Sequence, residues 1–197
     1  MKKNIFILNA HQYYEANAKG ELTKAILEEI EGFLKPKSFV FKRTDIEKGY
    51  KLDEEIQKML WADYVIFQFP VFWMSMPWIG KKYIDEIMSL AKSKLYKDDG
   101  RSSKDSSKKY GSGGLDHNKK YMLSLTYNQP LSEFDNKNGF YDGLSLDEAN
   151  VATHKMFQFC GFKQLKTYSI NDIFKRELDL KEEFKILDKI LEENFLK

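Results

Sequence analysis

The sequence predicts an α/β fold: a doubly wound sheet of five parallel strands in the order 2-1-3-4-5, covered by helices on both faces. Three observations carry that expectation. Short apolar runs alternate with amphipathic helical stretches, and this alternation forces parallel pairing through right-handed crossovers. The middle run, residues 64–69 (YVIFQF), is apolar and aromatic apart from Gln68, as befits a strand buried on both faces. Finally, 197 residues, 42% of them hydrophobic, suit one domain over 1–197, with insertions near 97–120 and 127–146.

Taken in order, residues 4–8 form the first strand, bounded by Asn9, Ala10 and His11. A polar connection over 11–20 leads to a helix over 21–33, whose Leu22, Ala25, Ile26, Ile30 and Phe33 share one stripe. Pro36 lies beyond its end, and residues 38–42 (SFVFK) make the second strand. Asp53 is the expected cap of a helix through Ile56, Met59 and Leu60. Strand three is the aromatic run, and Pro70 closes its ladder because proline lacks an N–H. Pro77 suits the first turn of a third helix carrying Ile79, Tyr83, Ile84, Ile87, Met88 and Ala91. Residues 97–120, rich in Ser, Gly and Lys, interrupt the rhythm before strand four at 121–126. The second insertion precedes a helix near 147–160, with Gly161 as the residue that ends it. Strand five runs over 163–169, and Phe184, Leu187, Ile190, Leu191 and Phe195 mark a closing helix.

This topology puts residues 9–20, 70–77 and 126–130 on one rim, at the carboxyl ends of the strands. Both insertions are expected near the same rim. After Pro70 come Val71, Phe72, Trp73, Met74, Met76 and Trp78, a dense set of large side chains for a loop. Either a flat ligand in the crevice covers them, or an insertion or second subunit does. The first rim loop opens onto a helix N-terminus, where free N–H groups and the dipole favour an anion. Small residues around Ala18 and Gly20 allow close backbone approach, and Lys19 and Thr23 could add a charge and a hydroxyl. A plain helix start would read the same way. Residues 126–130 offer amides and hydroxyls to a heterocycle, or simply make a turn.

Composition narrows the field. The formal charge of +2, from 32 basic and 30 acidic residues, gives no argument for nucleic acid. A single cysteine, Cys160, excludes an intrachain disulfide framework and makes a reducing cytoplasm the default. The start has no secretory pattern, and no stretch is long enough to span a membrane. Three histidines, His11, His117 and His154, lack metal-ligand spacing, so no metal is expected. GxGxxG, GxxxxGKS and GxSxG are all absent. The basic stretch over 92–109 could draw a phosphate or be a solvated loop. An aromatic content of 15% is what a flat ligand site or an aromatic dimer interface would use.

Three stretches together, WADYVIFQFPVFWMSMPWIGKKYIDE, LYKDDGRSSKDSSKKYGSGGL and KKYMLSLTYNQP, closely resemble the bacterial modulator of drug activity B family. The resemblance covers most of the chain and is strongest between Trp61 and Asn128. It implies a flavodoxin-like fold and an FAD-dependent NAD(P)H:quinone oxidoreductase. Such an enzyme reduces quinones to hydroquinones by two-electron ping-pong chemistry, a detoxifying role, with NADPH or NADH as donor and FAD ahead of FMN. It also implies a homodimer, with the flavin near the subunit interface.

Carried onto this sequence, the resemblance places the flavin phosphates on Ala18, Lys19, Gly20, Glu21, Leu22, Thr23, Lys24 and Ala25. Its aromatic loop falls on Val71, Phe72, Trp73 and Met74, with Phe72 and Trp73 as the wall for flavin and substrate. Tyr110 in the glycine-rich insertion becomes a flavin contact, and Thr126, Tyr127, Asn128 and Gln129 complete the set. Tyr127 and Tyr141 are the candidate hydrogen-bond donors to flavin or quinone. Two positions depart from the pattern: Ala18 stands where relatives often carry serine, and Asp142 where they commonly carry histidine. The competing reading is an FMN-binding, flavodoxin-like electron carrier, although such carriers are usually acidic and lack two rim insertions. A phosphoryl receiver would need an aspartate where strand three ends in Phe69 and Pro70.

Overall fold

The structure, a computed structural model, describes residues 2–197. Strand β1 (Lys3–Asn9) lies between β2 (Phe39–Asp45) and β3 (Tyr64–Pro70), and β4 (Lys120–Thr126) pairs with β3. Beyond β4 lie β5 (Lys163–Gln164) and β6 (Tyr168–Ile170), so the sheet runs β2-β1-β3-β4-β5 with every pairing parallel among the described residues. That is the doubly wound order expected from the alternation. Helices α1 (Glu21–Leu34) and α6 (Leu180–Phe195) cover one face of the sheet. The other face is covered by α2 (Leu52–Trp61), α3 (Trp78–Leu90), the short α4 (Leu146–Ala149) and α5 (Val151–Phe159). Alternate residues serve opposite cores: Ile5 and Ile7 face α1 and α6, while Phe6 and Leu8 face α2 and α3. All of β3 is buried because it is central and covered on both sides.

Four local expectations need correction. The fifth strand is not continuous over 163–169. Between β5 and β6 the Asn194 side chain captures Lys166: its amide donates to the Lys166 carbonyl at 2.9 Å, and its oxygen accepts the Lys166 N–H at 3.1 Å. The helix near 147–160 breaks at Asn150, whose side chain donates to the Leu146 carbonyl and the Tyr127 hydroxyl, both at 2.8 Å. Asp53 does not cap α2; Leu52 already belongs to the helix and packs on the core, which leaves Lys51 at the cap and Asp53 in the first turn. Pro77 precedes α3 instead of opening it. Gly161, in contrast, ends α5 as expected, at φ 91 with the Phe162 N–H reaching back to the Phe157 carbonyl.

The insertions also separate. Helix α3 returns the chain to the amino ends of the strands before residues 91–119 begin, as a parallel crossover must. That insertion therefore sits against the end of α5: Gly114 packs on the Cys160–Gly161 backbone, and the Tyr110 ring lies 5.7 Å from that of Phe159. Only the second insertion leaves from the carboxyl rim.

Beneath the α2–α3 face lies a buried charge. Glu55 is fully buried and pairs with Lys58 at 2.6 Å, while its carboxylate accepts from Thr44 Oγ1 at 2.9 Å and the Tyr83 hydroxyl at 2.8 Å. One carboxylate thereby ties α2 to β2 and α3. Among the described residues, no helix is long and apolar enough to cross a membrane.

Candidate functional site

A cavity of about 860 Å³ opens at the carboxyl rim, where three strand exits and the chain after β6 converge. Its first wall is the turn between β1 and α1. Tyr14 and Ala18 close a small loop by exchanging hydrogen bonds at 3.0 and 2.8 Å. Gly20 follows at φ 91, and a Cβ there would stand 3.1 Å from His11 Nε2. No side chain caps α1, so the leading amides of the helix, at Glu21, Leu22 and Thr23, have no capping partner and border the cavity.

The second wall is a tight hairpin after β3. The Phe72 N–H donates to the Ser75 carbonyl at 2.8 Å, and the Ser75 N–H returns to the Phe72 carbonyl at 3.1 Å. Its two central residues are Trp73 at φ 47 and Met74 at φ 66, the left-handed pair of a type I′ turn. Trp73 is 93% exposed and Met74 half-exposed, so the turn holds large apolar groups in solvent. Phe72 packs edge-on against Tyr14 at 5.3 Å and joins the two walls.

The third wall is the exit of β4, where the alternation of side chains decides which residues take part. Thr126 and Asn128 face the cavity. Tyr127 follows Leu123 and Leu125 into the opposite core. There its hydroxyl accepts from Asn150, its ring meets Phe134 at 5.5 Å, and burial pushes its pKa up to about 12. Tyr141 stacks on Phe134 at 4.9 Å, and burial raises its pKa as well. The fourth wall consists of Ile173, Phe174 and Leu178.

The structure thus gathers Ala18, Lys19, Gly20, Glu21, Leu22 and Thr23 with Val71, Phe72, Trp73, Thr126 and Asn128 around one cavity. The remaining expected residues lie elsewhere. Lys24 points outward to Glu28 at 3.7 Å, and Ala25 sits one turn into the helix. Met74 is at the hairpin tip. The Gln129 carbonyl accepts from the Asp172 N–H and from the Asn171 side-chain amide. Tyr110 is at the opposite rim, with the Arg101 guanidinium 5.6 Å from its ring. Tyr127 and Tyr141 belong to the α5-side core. Among the described residues, no group of three His, Cys, Asp or Glu side chains could hold a metal. Sequence reading missed His11 and Tyr14 as lining residues, and also the fourth wall. The alternation along 121–128 would have separated Tyr127 from Thr126 and Asn128; nothing comparable marks Ile173, Phe174 and Leu178.

A family profile described as "Flavodoxin-like fold" matches residues 3–191. The NADPH:quinone oxidoreductase MdaB of Haemophilus influenzae is 38% identical over 172 residues, covering 87% of this chain and 89% of that protein. The chain belongs to the modulator of drug activity B family. Likeness to this family extends to an uncharacterised protein of Schizosaccharomyces pombe, 36% identical over 171 residues and 87% of each chain. A solved NAD(P)H:quinone oxidoreductase from Methanothermobacter marburgensis matches with a TM-score of 0.66 at 13% identity, covering 97% of this chain and 98% of that one. At that identity the likeness shows the fold alone.

Proposed function

We propose that this chain is an FAD-dependent NAD(P)H:quinone oxidoreductase, reducing quinones to hydroquinones by two-electron ping-pong chemistry. The observation that carries the reading is the single cavity in which an uncapped helix N-terminus, an aromatic hairpin and the polar exit of β4 meet. Its relationship to the H. influenzae enzyme supports the same activity.

The donor set fits a flavin nucleotide. Free amides at the start of α1, with the Thr23 hydroxyl, would hold the phosphates at the positive end of the helix dipole. Val71, Phe72 and Trp73 would flank the ring system, and Thr126 and Asn128 would offer it hydrogen bonds. Leu22, Ile173 and Leu178 each pack against the α1–α6 core and also line the cavity, giving it an apolar side beyond the phosphate turn. An adenine would occupy that side, which supports FAD over FMN. When bound, a flavin would supply two-electron chemistry between nicotinamide and quinone. The protein would supply placement and water exclusion, with the Phe72 and Trp73 rings bounding the space the reactants share.

A homodimer completes this reading. Trp73, which lines the cavity, and Met74 beside it at the hairpin tip are exposed apolar side chains, and a second copy would cover them. Tyr110, at the far rim of its own chain, would reach a flavin only in such a partner.

The test is direct. Purified protein should be yellow, release FAD on denaturation by mass spectrometry, lose its visible band with NADPH or NADH, and regain it with a quinone. Protein that is colourless and takes up no FAD ends the proposal; release of FMN alone shifts it towards the electron carrier.

A further inference from the structure

His11 has no part in the reading above, yet it sits directly behind the phosphate turn. Its ring is clamped between two groups of that turn: Nε2 lies 3.1 Å from the Ala18 carbonyl oxygen, and Nδ1 lies 3.4 Å from Thr23 Oγ1. A carbonyl only accepts, so Nε2 keeps its proton whether the ring is neutral or charged. In the neutral ring Nδ1 is therefore an acceptor, and the Thr23 hydroxyl must spend its proton on it. In the charged ring Nδ1 donates instead. The Thr23 hydroxyl proton is then free to turn towards the cavity that Thr23 and His11 both line.

The surroundings favour the neutral ring when the cavity holds no anion. Burial lowers the His11 pKa, while the Ala18 carbonyl and the Glu47 carboxylate, from the turn at 46–48, oppose that effect. Lys19 and Glu21 open on the same cavity with opposite charges. Gly20 leaves room for the ring, since a Cβ there would stand 3.1 Å from Nε2.

We propose that His11 is a positioning residue whose protonation is coupled to docking of the flavin diphosphate on α1. One proton is taken from solvent as the diphosphate binds, and the Thr23 hydroxyl switches from donating to His11 to donating to the phosphate. This inference rests on the flavin reading above. Its sign is fixed: a dianion beside the ring raises the pKa of His11, so FAD binds more tightly as pH falls from the bound towards the free value. A rise of one pKa unit corresponds to about tenfold in affinity. FAD is the right probe because its diphosphate does not titrate near neutrality, whereas a phosphate monoester such as FMN does, at roughly pH 6.

The experiment titrates flavin-stripped protein with FAD between about pH 4.5 and 8.5, starting below the ordinary imidazole range because burial lowers the His11 pKa. The expected result is a Kd about tenfold lower at the acid end, and a flat profile for His11→Gln. Independently of any variant, the His11 ring followed by NMR should titrate at higher pH with FAD bound than without it. A flat wild-type profile, a slope that survives in His11→Gln, or an unchanged ring titration overturns the coupling and leaves the flavin reading standing. No uptake of FAD at any pH removes both.

Discussion

Two turns frame the cavity, and both place backbone in the left-handed region, but with opposite residues. Between β1 and α1 the position at φ 91 is Gly20, where the missing side chain lets the turn close against His11. After β3 the positions at φ 47 and 66 are Trp73 and Met74, where Asn-Gly would be the unstrained choice. The contrast separates two tasks. In the proposed function one turn brings backbone amides close to a ligand, so bulk is excluded. The other presents side chains, so bulk is kept at a strain of about 1–3 kcal/mol per residue.

Substitutions at each turn should break this contrast in opposite directions. The largest effect is expected from Gly20→Ala, which adds both a left-handed penalty and a crowded Cβ. FAD affinity should fall roughly tenfold to hundredfold, matching about 1–3 kcal/mol of strain, as read by fluorescence titration. Affinity within twofold of wild type would show that the turn yields freely. Next comes Trp73→Asn combined with Met74→Gly, which gives the hairpin its favoured residues. Denaturant unfolding should show about 1–2 kcal/mol of added stability, while quinone turnover falls. A stability loss instead would mean that the two rings earn their place by packing. Away from both turns, Tyr127→Phe removes the acceptor for Asn150 at the break between α4 and α5, and should cost about 1 kcal/mol. Raising the pH supplies a further test. Burial raises the pKa of Tyr127 to about 12, and it also raises those of Tyr83, Tyr121 and Tyr168. In the unfolded chain these phenols titrate near pH 10. Their contribution is complete below that value and lost as pH rises from about 10 towards 12, so melting temperature should hold steady to about pH 10 and then drop.

Much of this architecture was legible in the sequence. Alternation gave the parallel sheet and its order, and the burial of β3 followed from an apolar and aromatic run interrupted only by Gln68. The turn before α1 and an aromatic loop after β3 were visible because glycine, small residues and clustered aromatics are local signals, whereas the hairpin form of that loop was not. What escaped was nonlocal. The break between β5 and β6 depends on Asn194, 28 positions beyond Lys166. Asn150 interrupts a helix because of Tyr127, a partner 23 residues away. The placement of residues 91–119 at the amino rim was available from topology alone, since the crossover through α3 requires it. The wall of Ile173, Phe174 and Leu178 has no periodicity to announce it, and comes together only because the chain after β6 folds back over the rim.

The interior carboxylate beneath α3 bears on how the strained hairpin survives. Glu55 grips Tyr83, in the second turn of the helix that the hairpin feeds. Unfavourable backbone angles persist only where neighbours over-determine them. With α3 moored to α2 and β2 through a countercharged anchor, the Trp73–Met74 corner has no slack into which it can relax. The aromatic wall is then in place before any cofactor arrives. Cutting the mooring with Lys58→Met, which strands a charge in the interior, should loosen a corner that Lys58 never touches.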